Sequence, residues 1–146
     1  RILFRPGWSV PIDSFSFRGM TVTKVQEPID GVDTRYLEVR VEGEDVFGPH
    51  SVGFRCELPE AGTYAVSIEA LGGPDQATVQ LFRNERAEGQ AVDLFREARQ
   101  PVGPLRLAEL EFAEGENAVL LKLSGTNDRS SGQGVDLTGL VFERVP

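Results

Sequence analysis

Residues 52–71, VGFRCELPEAGTYAVSIEAL, constrain the fold of this chain more than any other stretch. In residues 52–58 and again in residues 63–70, apolar and polar side chains alternate with the period of two that gives a β-strand one apolar face. Between them, Pro59 presets φ for a turn and Gly62 permits a positive φ. A helix does not suit this stretch, because its Pro-x-x-Gly sequence would break one. The stretch therefore predicts a β-hairpin.

Similar alternation, interrupted by turn residues, recurs along most of the chain. The further strands that it predicts cover residues 21–25, 35–42, 77–82, 91–94, 105–112, 119–123 and 135–143. Residues 91–98 would also suit one or two helical turns, but their shortness favours a strand followed by a loop. The 146 residues suit one domain, residues 1–146, with a core of its own. Eight or nine short strands without a long helix predict an all-β fold, an antiparallel β-sandwich of jelly-roll type.

Three local features sharpen this prediction. The apolar register changes within residues 105–112, which predicts a β-bulge near Leu107 and Ala108. The last strand is partly apolar on both faces, which predicts a central or covered position in a sheet. Cys56 and Tyr64 lie on the apolar faces of their strands, so we expect both to be buried in the core.

The first twenty residues form an irregular lead-in that is rich in aromatic side chains. Pro6, Gly7 and Pro11 interrupt any strand there, and Trp8, Phe15 and Phe17 are scattered between them. The segment either wraps its aromatic residues onto the sandwich or docks on a neighbouring domain, and we favour wrapping because linkers are rarely this aromatic. Because the chain starts without Met or a signal peptide, we expect a mature product or a module of a longer protein.

The charge and composition narrow the classes of partner and compartment. The net charge of −8 argues against nucleic acids and anionic membranes as partners, since both attract basic surfaces. The chain has no apolar stretch that approaches the length of a membrane span, so we expect no membrane insertion. A single cysteine forms no internal disulfide, which leaves the redox compartment open.

The residue types that enzymes use are sparse here. His50 is the only histidine, and no nucleophile-elbow sequence lies near it. One histidine and one cysteine are too few for a zinc site, and no glycine-rich loop matches a phosphate-binding motif. Pairs of carboxylates are plentiful, but on an acidic β surface such pairs are usually solvated. We therefore expect a protein that is not an enzyme, and a self-standing hydrolase is the least favoured reading.

The order of four turn motifs carries a resemblance to a known fold family. The motifs are Leu58-Pro59-Glu60-Ala61-Gly62-Thr63-Tyr64, Val92-Asp93-Leu94, Glu114-Gly115-Glu116-Asn117 and Gly125-Thr126-Asn127. Over roughly residues 36–144 this order resembles the galactose-binding-like jelly rolls, which include carbohydrate-binding modules appended to secreted bacterial glycoside hydrolases. The resemblance implies a non-catalytic accessory module of a multidomain bacterial protein, secreted or periplasmic. The alternative is a structural or protein-interaction sandwich that docks on a neighbouring domain and has no sugar site.

The resemblance also implies where a glycan would bind, in loops at one end of the sandwich. The loop at residues 125–134 supplies Asn127, Asp128 and Arg129 for sugar hydroxyl groups. The aromatic candidates that would stack on a sugar ring are Trp8, Tyr36 and Phe47. Asn127 is equally well explained as a turn residue, and Trp8 as a side chain that fills the core.

A structural calcium ion is the one cofactor that the resemblance implies. The family pattern places an aspartate ligand in the last strand, where this sequence has Thr138. Asp136, two residues earlier, projects from the same face of that strand and is the candidate substitute. Calcium requires several oxygen ligands at once, and the sequence does not identify the others.

Overall fold

The computed structural model describes residues 1–10, 20–41 and 50–146, and the backbone of residues 12–13. The strands in these ranges are β1 (Ile2–Phe4), β2 (Ile12–Asp13), β3 (Met20–Ile29), β4 (Val32–Val41), β5 (Ser51–Leu58), β6 (Gly62–Gly72), β7 (Thr78–Arg83), β8 (Arg86–Asp93), β9 (Gln100–Phe112), β10 (Gly115–Gly125) and β11 (Gly134–Arg144). Among the residues described, no helix combines the length and apolar character needed to cross a membrane.

The strands form two antiparallel sheets. The first sheet has the order β3-β4-β11-β6-β9, with β1 also paired to β11, and the second has the order β2-β5-β10-β7-β8. Neighbours in each sheet are mostly distant in sequence, as in a jelly roll. The predicted all-β sandwich is confirmed. The predicted hairpin strands, β5 and β6, lie in different sheets, so the turn at residues 59–61 crosses between the layers instead of closing a ladder.

The core lies between the two sheets and follows the alternation in the sequence. Fully buried side chains from both layers include Leu37, Phe54, Leu58, Ile68, Leu81, Leu107, Leu137, Leu140 and Phe142. Cys56 and Tyr64 are buried as predicted, at 0% and 2% exposure. The Tyr64 hydroxyl donates a hydrogen bond of 2.7 Å to the Glu60 carbonyl, which fixes the turn that crosses between the sheets.

The strand count exceeds the eight or nine predicted, because short and edge strands carry weak patterns. β1 and β2 lie in the lead-in that was expected to be irregular, and they carry the chain from the first sheet to the second. β3 continues through residues 26–29, which were expected to be a loop, and Pro28 is tolerated because β3 is an edge strand. Asp30 and Gly31 both have positive φ, so they close the β3–β4 hairpin in two residues.

Two finer predictions are confirmed. In the pairing of β6 with β9, Val66 lies opposite Ala108 while Ser67 lies opposite Arg106, so Leu107 is the extra residue of a bulge. This bulge allows Leu107 and Ala108 to be buried although they are adjacent in sequence. β11 lies between β4 and β6 and is covered on both faces over most of its length, as its two apolar faces predict.

Candidate functional site

Three loops meet at one end of the sandwich, and we call this surface the loop end. They are residues 73–77, 94–99 and 126–133. Backbone hydrogen bonds tie them together: the Ser131 N–H donates to the Pro74 carbonyl at 2.7 Å, and the Arg96 N–H donates to the Gly73 carbonyl at 3.1 Å. The loop end is therefore built from segments that are far apart in sequence but fixed to one another.

Asn127 holds the longest of these loops in shape. Its side-chain Oδ1 accepts a hydrogen bond from the Arg129 N–H at 2.9 Å, and its Nδ2 donates to Asp93 Oδ2 at 3.0 Å. The first bond is the local turn that an asparagine side chain makes with the backbone two residues later. Both ends of the amide are thus bonded to other residues of the chain, as the turn interpretation of Asn127 requires.

Arg129 is an exposed side chain of the loop end that contacts two other residues of this surface. Its guanidinium carbon lies 4.9 Å from the centre of the Phe95 ring, and its Nη1 donates to Glu97 Oε1 at 2.9 Å. The Arg129 side chain is 64% exposed, whereas Phe95 is buried. The guanidinium group therefore packs against the Phe95 ring while most of the Arg129 side chain stays accessible to solvent. Asp128, next to it, is exposed.

Of the candidate aromatic residues that the structure describes, Trp8 and Tyr36, neither offers an exposed ring at the loop end. Trp8 is half-buried, with Lys24 Nζ 4.6 Å and Arg35 Cζ 5.1 Å from its ring centre. Arg35 lies six residues before the end of β4 at Val41, about 20 Å along the strand from the loop end. Phe47 lies outside the described residues, as do Phe15 and Phe17.

Tyr36 does not offer a free ring face. It is 3% exposed and packs with Ile29 and Leu71 on the outer face of the first sheet. Arg99 lies over its ring, 5.3 Å from the centre, and donates a 2.9 Å hydrogen bond to its hydroxyl. The hydroxyl donates in turn to Glu27 at 2.6 Å. Burial and this bond raise the pKa of Tyr36 to about 12.

Asp136 lies beneath the loop end in a cluster of charges, and its carboxylate is fully buried. Oδ1 accepts a hydrogen bond from Arg40 Nη1 and Oδ2 accepts one from Arg99 Nη1, both at 2.7 Å. Gln76 Nε2 also donates to Oδ2, at 3.3 Å. Two partly exposed guanidinium groups therefore pair with one buried carboxylate. Burial alone would lower the pKa of each arginine, but the hydrogen bond to Asp136 and the attraction of nearby negative charges outweigh it, so the pKa of both is raised.

These residues do not fit a calcium ion. Calcium needs several oxygen atoms with lone pairs directed at one point, but both oxygens of Asp136 already accept from cations. A divalent cation at the same carboxylate would face Arg40 and Arg99 at close range. Thr138, at the family's ligand position, is the extra residue where the pairing of β11 with β6 shifts register. In the described part of the chain, no group of three or more acidic, histidine or cysteine side chains is arranged to hold a metal.

Phe95, Glu97, Arg99 and Gln76 belong to this end of the molecule but were not singled out from the sequence. Phe95 carries a weak signal, because it is the only aromatic residue in a polar loop that directly follows the predicted strand at 91–94. Gln76 and Arg99 carry no signal in the sequence, since their partner Asp136 is 60 and 37 residues away.

Comparisons with known proteins place this fold. No family model and no curated protein matches the sequence. Among solved structures, a Paenibacillus xanthan lyase matches with a TM-score of 0.72 and 20% identity, over 98% of this chain and 13% of that one. A family 35 carbohydrate-binding module from an environmental isolate matches with a TM-score of 0.55 and 14% identity, over 97% of this chain and 92% of that one. A Podospora anserina GH26-CBM35 β-(1,4)-mannanase matches with a TM-score of 0.57 and 11% identity, over 99% of this chain and 28% of that one. These likenesses confirm the predicted jelly-roll resemblance at the level of the fold.

Proposed function

We propose that this domain is a non-catalytic accessory module that binds glycan at the loop end and belongs to a longer, exported polypeptide. The observation that carries the proposal is the exposed guanidinium group of Arg129, supported on the ring of Phe95 at the meeting point of three loops. Sugar hydroxyl and carboxylate groups are good acceptors for such a planar donor. The fold likeness to a carbohydrate-binding module supports the same reading.

The place of this domain in a longer chain is supported by the lengths of its structural neighbours. The chain spans 13% of the xanthan lyase and 28% of the mannanase that it matches. Those two names also suggest the first glycans to test, xanthan and β-(1,4)-mannan. An extracytoplasmic location follows in this proposal from the class of ligand, since such polysaccharides lie outside cells.

Isothermal titration calorimetry against a panel of glycans that includes these two tests the proposal. We expect one glycan to bind and Arg129→Ala to weaken that binding about tenfold or more, because a charge-assisted hydrogen bond is lost. Arg129→Lys should restore little of the glycan affinity, because the ammonium group of lysine does not reproduce the planar guanidinium group that packs on Phe95.

Arg144→Ala is the matched control. Arg144 is also exposed and paired with a glutamate, Glu60, but at the opposite end of the sandwich. The proposal fails if no glycan binds to the well-folded domain, and that result favours an interaction domain that docks on a neighbour. It also fails if both arginine variants weaken binding equally.

A further inference from the structure

The carboxylate of Asp93, the last residue of β8, links two of the three loops at the loop end. Its Oδ1 accepts a hydrogen bond from the Phe95 N–H at 2.9 Å, and its Oδ2 accepts one from Asn127 Nδ2 at 3.0 Å. One oxygen therefore holds the residue whose ring packs against Arg129, and the other holds the loop that carries Arg129. Asp93 is also the central residue of one of the four motifs that carry the sequence resemblance.

Asp93 is itself held in place by the sandwich. Its backbone pairs with Thr78 of β7, and the next residue, Leu94, is fully buried. The Leu94 N–H donates to the Ala77 carbonyl at 3.1 Å, and the Gly73 N–H donates to the Leu94 carbonyl at 3.4 Å. A side chain on the end of a strand keeps a more precise position than one within a loop. The carboxylate is therefore an anchor on the sheet against which a loop can be positioned.

The loop at residues 126–133 is held at two separate places. Its second half bonds to the loop at residues 73–77. Its first half bonds to Asp93 through the side chain of Asn127, whose Oδ1 accepts from the Arg129 N–H at 2.9 Å. The backbone of Arg129 is therefore two hydrogen bonds away from the anchored carboxylate.

The ion pair between Arg129 and Glu97 gives a weaker hold on the guanidinium group. The two side chains are 64% and 79% exposed, and an ion pair at such exposure contributes little because water competes for both charges. It also joins only the tips of two long side chains. The bonds of Asp93 act instead on the chain segments from which Arg129 and Phe95 extend.

We propose that Asp93 is a positioning residue of the loop end, which sets the packing of Arg129 on Phe95 and thereby presents the guanidinium group to a ligand. The packing is a property of the free protein, whereas its use in binding rests on the proposed function. With both segments held, the Arg129 side chain has less conformational freedom to lose when a ligand binds. Asp93 acts without touching the ligand, since both of its oxygens bond within the protein.

An exchange of two side chains tests the positioning. Asp93→Asn leaves one oxygen where two accept hydrogen bonds, and Asn127→Asp places two carboxylates against each other, so either single variant loses the bond between the two residues. The double variant, Asp93→Asn with Asn127→Asp, restores that bond with donor and acceptor exchanged. It also keeps an oxygen for the N–H groups of both Phe95 and Arg129.

The NMR signals of the Arg129 side-chain protons report the packing, because the ring current of Phe95 shifts groups above its face upfield. Phe95→Leu gives the unshifted reference. We expect each single variant to lose at least about half of the upfield shift and the double variant to recover most of it. Glu114→Gln is the matched control, because it removes one exposed negative charge at the opposite end of the sandwich and should leave the shift unchanged.

Calorimetry with xanthan and β-(1,4)-mannan fragments tests the use of this packing in binding. The affinity for the fragment that binds should fall about fivefold in each single variant and return to within about twofold in the double variant. An affinity that Asp93→Asn leaves unchanged would overturn the link to binding.

The NMR result decides the positioning whether or not a fragment binds. An upfield shift that survives Asp93→Asn, or that the double variant does not recover, would overturn it. Loss of the shift in Glu97→Gln but not in Asp93→Asn would assign the role to the ion pair instead. If the shift behaves as expected and no fragment binds, the positioning of Arg129 stands and the proposed glycan binding alone fails.

Discussion

Gln76 and Asp136 hold each other by two hydrogen bonds, although they are 60 residues apart. The Asp136 N–H donates to Gln76 Oε1 at 2.9 Å, and Gln76 Nε2 donates to Asp136 Oδ2 at 3.3 Å. Both side chains are fully buried. The pair joins the loop at residues 73–77 to the start of β11, and thereby fixes the loop at residues 126–133 that carries Arg129.

The first prediction concerns the energy of this pair. Gln76→Leu removes both bonds and leaves the buried Asp136 N–H without its acceptor, so we expect the free energy of unfolding to fall by about 2–4 kcal/mol. Urea denaturation measures this loss. Gln100→Leu is the control, because Gln100 is exposed and should change stability by less than about 0.5 kcal/mol. Equal effects of the two substitutions would show that the buried pair has no special role.

The second prediction concerns calcium. Because Arg40 and Arg99 already occupy the carboxylate of Asp136, we expect neither EDTA nor millimolar calcium to change the midpoint of thermal unfolding. Differential scanning calorimetry checks this on the wild type and on Asp136→Asn. A midpoint that rises with calcium in the wild type but not in the variant would mean that the carboxylate releases its arginines to bind metal.

Most of the fold is predictable from the sequence because burial on one face of a strand imposes a period of two. Residues 52–58 and 63–70 show this clearly, and the change of period at Leu107 reveals even the bulge. Edge strands cannot be identified from this period of two. Residues 86–93 are mostly exposed on both faces in β8, so no alternation marks where that strand begins.

The loop end is only partly predictable. The turn role of Asn127 follows from its chemistry, since its side chain bonds the backbone two residues on. For Tyr36 the alternation is not enough. It places this residue beside Glu38 on the polar face, but it does not reveal that Ile29 and Leu71 bury this part of that face. Such burial depends on strand order, which no local pattern encodes.

The third prediction compares two glycines with similar backbone angles. Gly89 has φ of 69° and Gly31 has φ of 77°. A Cβ atom at Gly89 would lie 1.9 Å from the Leu107 carbonyl oxygen, whereas one at Gly31 would have no heavy atom within 4 Å. We expect Gly31→Ala to cost about 1 kcal/mol from backbone strain alone. Gly89→Ala should cost at least about 2 kcal/mol more, because β8 must move away from the bulge.

Chemical denaturation of both variants provides the comparison. Similar losses of stability at the two positions would contradict the close approach of Gly89 to β9 and would leave backbone strain as the whole effect.

The last prediction concerns Cys56 at alkaline pH. Burial raises the pKa of its thiol from 9.0 to about 12, so the folded protein keeps a proton that the unfolded chain loses above about pH 9. Stability falls as pH rises wherever the folded state binds more protons than the unfolded state. The stability that depends on the protonated thiol is therefore intact below pH ~9 and is lost progressively toward pH ~12. Near pH ~10.5 the loss should be about 2 kcal/mol in wild type and absent in Cys56→Ala. Other groups titrate in this range, so the measured quantity is the difference between the two proteins in urea unfolding at several pH values. A difference that stays constant from neutral to alkaline pH would mean that solvent reaches the thiol between the sheets.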